Sequence, residues 1–310
     1  MKHDIYQAIT DRILELLDAG TVPWRNPIKR SAAGNGLPKS LASGKAYRGI
    51  NVFLLAATAW CKGYESCYWT TYRAAQAAGA QVRKGEKSTL VIFWKQYAVT
   101  DAQSGEEKNL PVLRHYHVFN AEQVEGIEPP DRLPPDDTAA PFEPLLEAEK
   151  IITGYARPPT IEYGGQRAFY IPSEDRIRIA EPARFASREE FYGTLYHEFC
   201  HSTGHSSRLN RELDSVPTVF GSPSYGKEEL IAEFGGAFLA AAAGISPPTI
   251  DNSAAYIAGW RKQIAADRKL LVQAAAAGQK AADHILGISF TAAASEEPAD
   301  DLPVTPSPAP

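Results

Sequence analysis

Between residues 126 and 144 the chain carries Pro129, Pro130, Pro134, Pro135 and Pro141. Proline lacks a backbone N–H and fixes φ, so neither a helix interior nor a central strand can run through such a stretch. Residues 129–143 therefore read as a linker between a first unit, 1–128, and a second, 144–290. With 310 residues, each unit is of ordinary domain size. Residues 291–310, rich in Pro, Asp, Glu and Ala, have little to bury and read as a disordered tail.

Charge divides along the same line. Residues 1–125 carry a balance of +5 and residues 126–310 one of −10. A basic unit joined to an acidic one suggests separate jobs, with nucleic acid a candidate partner for the first. No run approaches the roughly 20 apolar residues that span a bilayer, so no membrane partner is expected. Met1-Lys2-His3-Asp4-Ile5-Tyr6 has no signal-peptide character, and Cys61, Cys67 and Cys200 are too few and too odd for a disulfide framework. The chain reads as cytoplasmic.

The first unit reads as α+β. A helical stripe over 3–19 stops at Gly20, a buried helix covers Asn51–Lys62, and a short helix is expected over Thr70–Ala80. Arg83–Lys87 is a basic turn before the β-rich run Thr89–Trp94. Leu110–Phe119 is its antiparallel partner, with Asp101–Asn109 connecting them. Trp24, Tyr47, Trp69, Tyr72 and Trp94 are interleaved with Arg25, Arg48, Arg73, Lys84, Lys87 and Lys95. That pattern suits single-stranded nucleic acid, whose bases stack on aromatic rings while basic groups follow the phosphates. Half of those aromatics are expected in the core.

The second unit reads as mostly helical. A helix is expected over Pro144–Thr153, and Ala168–Ile171 and Arg176–Ile179 make a hairpin around Pro172–Asp175. Ser187-Arg188-Glu189-Glu190 is a capping box for the helix that carries His197-Glu198-Phe199-Cys200-His201. A further helix covers Lys227–Ala243, and two Ala-rich helices fill 253–286.

Two histidines four apart share one helical face, from which they can grip a divalent metal. Glu198 then stands beside the metal as the group that takes a proton from bound water. A third ligand is needed. Glu229 and Glu233 share a face of the next helix, whose neighbouring face is apolar, and carboxylates there are costly unless paired or bound to metal. Glu229 is the expected ligand and Glu233 the expected hydrogen-bond partner of a ligand histidine; Glu228 and Glu233 stand as alternative ligands. His205 falls past Gly204 and suits a loop position supporting the site. Cys200 faces away from the histidines. Tyr170, Tyr196, Tyr225 and His205 are candidates for stabilising an oxyanion. Zinc is the expected ion and manganese the alternative.

Several stretches together carry a resemblance. They are Asp4–Thr10, Tyr47-Arg48-Gly49-Ile50-Asn51, Trp69-Thr70-Thr71-Tyr72, and Val82–Lys87 with Phe93-Trp94-Lys95. In the second unit they are His197–His205, Arg208-Leu209 and Glu229-x-x-Ala232-Glu233. The chain resembles ArdC-type antirestriction proteins, whose single-stranded-DNA-binding domain also occurs in some plasmid conjugative primases and is followed by a zincin-like domain. The resemblance implies a plasmid or mobile-element protein that protects incoming DNA from restriction. Cys200 and Ser202 depart from the small apolar residue and the aromatic expected there.

Three functions follow. The first is an antirestriction protein with single-stranded DNA as partner and a metallopeptidase-like hydrolase site for a peptide or host protein. The second is a DNA-binding protein with a structural or vestigial metal site. The third is a regulatory or toxin-like metalloprotease acting on a host protein.

Overall fold

The computed structural model describes residues 4–25, 37–100, 107–130, 144–213, 223–245 and 254–289. The expected linker, for most of its length, and the expected disordered tail lie outside the described residues.

Helix α1 spans Ile5–Asp18 and is capped by Asp4, whose side chain accepts from Gln7 N at 3.2 Å. Its Ile9, Ile13, Leu16 and Leu17 are buried, and Gly20 ends it at φ +76°. After β1 (Lys39–Ser40) comes α2 (Ile50–Lys62), closed by Gly63 in the left-handed conformation. The expected helix at 70–80 starts later. Tyr68–Thr71 form strand β2, because Trp69, Thr70 and Thr71 pair with a later strand, and Thr71 then caps α3 (Tyr72–Ala77). β3 (Gln81–Val82) precedes β4 (Thr89–Thr100) and β5 (Glu107–Asn120), and β6 (Val124–Glu125) pairs back on β3.

The main sheet runs β1-β2-β5-β4. Its β4–β5 ladder continues beyond the expected strands, from Thr89↔Val118 to Thr100↔Glu107. Buried Asn51 serves as a substitute strand for β4, donating to Ile92 O at 2.7 Å and accepting from Ile92 N at 2.8 Å. That satisfies backbone groups that burial would otherwise leave costly.

In the second unit, α4 (Pro144–Gly154) leads to β7 (Thr160–Tyr163), β8 (Phe169–Ile171) and β9 (Arg176–Ile179). The β8–β9 hairpin matches expectation, while the parallel pairing of β7 with β9 is additional. Four helices follow: α5 (Arg188–Ser202), α6 (Pro223–Ala243), α7 (Ala254–Ala266) and α8 (Leu270–Leu286). α6 begins four residues before the expected Lys227, on Pro223. Proline suits a first helical position, where the missing N–H costs nothing.

One apolar core runs through both units. Trp24 stands edge-on to Phe234 at 5.3 Å and to Trp260 at 6.0 Å, and Phe53 stacks on Phe234 at 4.7 Å. Polar ties reinforce this seam: Arg25 to Glu233 at 3.0 Å, Gly49 N to Gln279 Oε1 at 3.2 Å, and Arg48 to Asp283.

Glycines bring the helices of the second unit close. A Cβ at Gly235 would fall 2.5 Å from Cys200 Sγ, and one at Gly278 only 2.9 Å from Gly235 N and Ile231 O. α5, α6 and α8 therefore approach more closely than side chains would allow. Among the described residues, no helix is long and apolar enough to cross a membrane.

Candidate metal centre

α5 starts where the capping box places it. Ser187 Oγ accepts from Glu190 N at 3.1 Å, while Glu190 reaches back to Ala186 N at 2.8 Å, one residue beyond the expected partner. One turn apart near its end, His197 and His201 bring their Nε2 atoms within 3.1 Å. Glu229 enters from α6, 3.5 Å from His197 Nε2 and 3.6 Å from His201 Nε2. One ligand atom from each of the three lies within 4.8 Å of the others.

This donor set fits a divalent ion. Two imidazole nitrogens and one carboxylate oxygen converge from adjacent helices. His197 and Glu229 remain 24% and 28% exposed, which leaves an approach from solvent. Glu198 is buried beside them at 6% exposure.

Electrostatics follow from this closeness. Burial opposes charge on His197, but the hydrogen bond to Glu229 and the charges of Glu198, Glu233 and Glu229 outweigh it and push its pKa up to about 9. Burial likewise works against ionised Glu229, yet His197, His201 and Tyr225 hold its carboxyl below the ordinary value. Tyr225 is hydrogen-bonded to Glu229, and burial together with that carboxylate pushes its hydroxyl up to about 12.

The carboxylate beneath His201 is Glu228, with Oε1 3.3 Å from Nδ1. Glu233, expected in such a position, lies one turn beyond Glu229 and accepts from Arg25, while its charge reaches His197. His205 contacts Ser207 Oγ through Nδ1 at 2.8 Å. Of the four oxyanion candidates, Tyr225 stands at the cluster. Tyr170 donates to Asp175 at 2.8 Å, and Tyr196 to Ala148 O at 3.1 Å. Arg211, which the sequence did not single out, binds Glu228 with two nitrogens. Its only sequence signal is its place shortly after the motif.

The aromatics of the first unit divide. Trp24, Tyr47 and Trp69 are buried at 3%, 8% and 0% exposure, which leaves these rings no face for a base in this conformation. Tyr72 and Trp94 are each 43% exposed. Lys84 and Lys87 are exposed on the turn before β4, while Arg48 engages Asp283.

Residues 3–119 match the family described as the N-terminal domain of anti-restriction factor ArdC, and residues 147–277 match a zincin-like metallopeptidase family. The crystal structure of the metal-free antirestriction protein ArdC from plasmid R388 superposes with a TM-score of 0.72 at 39% identity, over 93% of this chain and 100% of that one. The chain belongs to the ArdC antirestriction family. The Mn(II)-bound form of R388 ArdC superposes similarly, with a TM-score of 0.71 at 38% identity over 95% of this chain and 100% of that one. Uncharacterized protein y4eC of Sinorhizobium fredii is 36% identical over 90% of this chain and 91% of its own length. Two Escherichia coli proteins named DNA primase TraC are 36% and 35% identical over 92% of this chain. The chain spans only 27% and 20% of their lengths.

Proposed function

We propose that this protein binds a divalent metal through His197, His201 and Glu229, and single-stranded DNA through the exposed basic and aromatic surface of its first unit. It would act in antirestriction in the cytoplasm, where incoming DNA meets restriction enzymes. The observation that carries the metal reading is the convergence of those three donors from α5 and α6. The Mn(II)-bound form of a relative supports a divalent ion, and a His/His/Glu donor set accepts zinc and manganese alike.

An ion held there supplies Lewis acidity, acidifying water and polarising a carbonyl. Glu198, next to the first ligand on α5, accepts the proton of an attacking water and returns one to a leaving amine. Tyr225, beside Glu229, donates toward the oxygen on which negative charge develops. A peptide or host protein is the matching substrate class. For DNA, Trp94 and Tyr72 offer stacking faces and Lys84 and Lys87 phosphate contacts.

Glu198→Gln tests the chemistry. It keeps the volume and the metal ligands while removing the base, so metal binding persists and hydrolysis falls about 100- to 10,000-fold. Antirestriction in a conjugation assay falls with it. Full antirestriction by Glu198→Gln with metal still bound would mean that peptidase chemistry is not how the protein works.

A further inference from the structure

His201 has two ring nitrogens. Nε2 faces His197 and Glu229, and Nδ1 faces Glu228 at 3.3 Å. Glu228 is held in turn: Arg211 Nε donates to its Oε2 at 3.0 Å and Nη2 to its Oε1 at 2.6 Å. The same guanidinium donates to Thr203 Oγ1 at 2.7 Å and to Cys200 O at 2.8 Å. One side chain thus clamps the last turn of α5 to the first turns of α6. Both partners are well covered, at 14% and 13% exposure.

The loop is shaped to deliver Arg211. Asn210 and Glu212 on either side take φ of +47° and +58°, a conformation costly for residues with side chains. Arg211 N donates to Gly204 O at 2.9 Å. A Cβ at Gly204 would lie 3.0 Å from Arg211 Nη2 and 2.5 Å from Leu213 Cδ1, so a larger residue there would push both side chains from these positions.

We propose that Arg211 is a positioning residue of the metal centre. It locks Glu228, and Glu228 holds the proton of His201 on Nδ1 and fixes the ring plane, leaving the Nε2 lone pair directed at the ion. A histidine ligand owes its tautomer to the partner of its other nitrogen. Arginine suits the task because its planar fork grips a carboxylate at two points and never ligates a metal itself. The inference rests on reading His197, His201 and Glu229 as ligands.

The test titrates Mn²⁺ or Zn²⁺ alone into the full chain against a competing fluorescent chelator, with folding followed by circular dichroism. Arg211→Ala is expected to bind metal about 10- to 100-fold more weakly while remaining folded. Millimolar guanidinium should restore part of the loss. Arg208→Ala is the control: Arg208 also contacts the end of α5, donating to Ser202 O at 2.7 Å, but its carboxylate partner is Asp175. It is expected to melt earlier yet keep wild-type affinity.

Wild-type affinity in Arg211→Ala, or an equal loss in Arg208→Ala, overturns the assignment. Should Arg211→Ala not fold, the isosteric Glu228→Gln replaces it; the same loss is expected, and wild-type affinity there overturns the assignment too. Wild-type protein that binds no metal, or Glu229→Ala that binds as tightly as wild type, overturns the ligand reading as well. Failure of Arg211→Ala alone leaves the ligand reading standing.

Discussion

Arg25 and Glu233 meet at 3.0 Å across the seam between the two units, and Glu233 lies one turn beyond Glu229 on α6. The segment that follows α1 therefore touches the helix that carries the third candidate ligand. Its partner carboxylate is also one of those that favour the charged form of His197.

Arg25→Ala should lower the unfolding free energy by about 1.5–3 kcal/mol, the range for a hydrogen bond to a charged group. Urea titration checks this. The midpoint should fall with an unchanged slope, because the surface exposed on unfolding stays the same.

Metal affinity should depend on pH through His197. Its pKa is pushed up to about 9 in the metal-free fold, so its protonated form stabilises the fold fully below the unfolded value of about 6.5. That contribution is lost as pH rises through about 9. A metal needs the neutral ring and must displace the proton. Apparent Mn²⁺ affinity should therefore rise by about tenfold per unit between pH 6.5 and 9, then level off. Calorimetry in buffers of different ionisation enthalpy should register proton release at neutral pH. A flat profile would refute the linkage.

Gly278→Ala should loosen the helix trio. Its new Cβ meets backbone atoms of α6 at 2.9 Å, and backbone cannot swing aside as a side chain can. Overpacking of this kind costs about 1–3 kcal/mol. Because the displaced helix holds Glu229, metal affinity should fall too. Gly259→Ala on α7 meets nothing within 4 Å and should leave the melting temperature unchanged or raise it.

Trp94 and Trp69 should separate DNA binding from stability. Trp94→Ala should weaken binding to a fluorescent oligothymidine by about 1–3 kcal/mol, the value of one stacked base, with stability retained. Trp69→Ala, at 0% exposure, should instead cost about 3–5 kcal/mol of stability. Lys84→Glu with Lys87→Glu should reduce both the affinity and its salt dependence. Unchanged anisotropy curves for Trp94→Ala would remove the β4–β5 hairpin from the interface.

What could be read from the sequence was what is local. His197 and His201 were legible because four residues make one helical turn, and Glu229 because a carboxylate on a largely apolar helix needs a reason. Whether Glu228 or Glu233 would support His201 was not legible. Both lie close to Glu229 in sequence, and the outcome turns on which face α6 presents to α5, where Gly235 lies directly against Cys200. Strand β7 escaped because no turn joins it to its partner: β9 was legible through the tight turn from β8, whereas β7 pairs with a strand that is not its neighbour in the chain. Trp24 beside Arg25 looks the same whether it stacks on a base or fills a socket. The socket is built by Phe234 and Trp260, more than 200 residues away.

That socket bears on how such a chain can be inherited. The wall around Trp24 is cut by α6 and α7, while the ring is delivered by the segment after α1. A crossover joining a first half from one lineage to a second half from a divergent one would set this ring against a wall shaped for another. On this packing, a chimaera that keeps α1 to α8 from a single lineage should fold more stably than one joined between the two units.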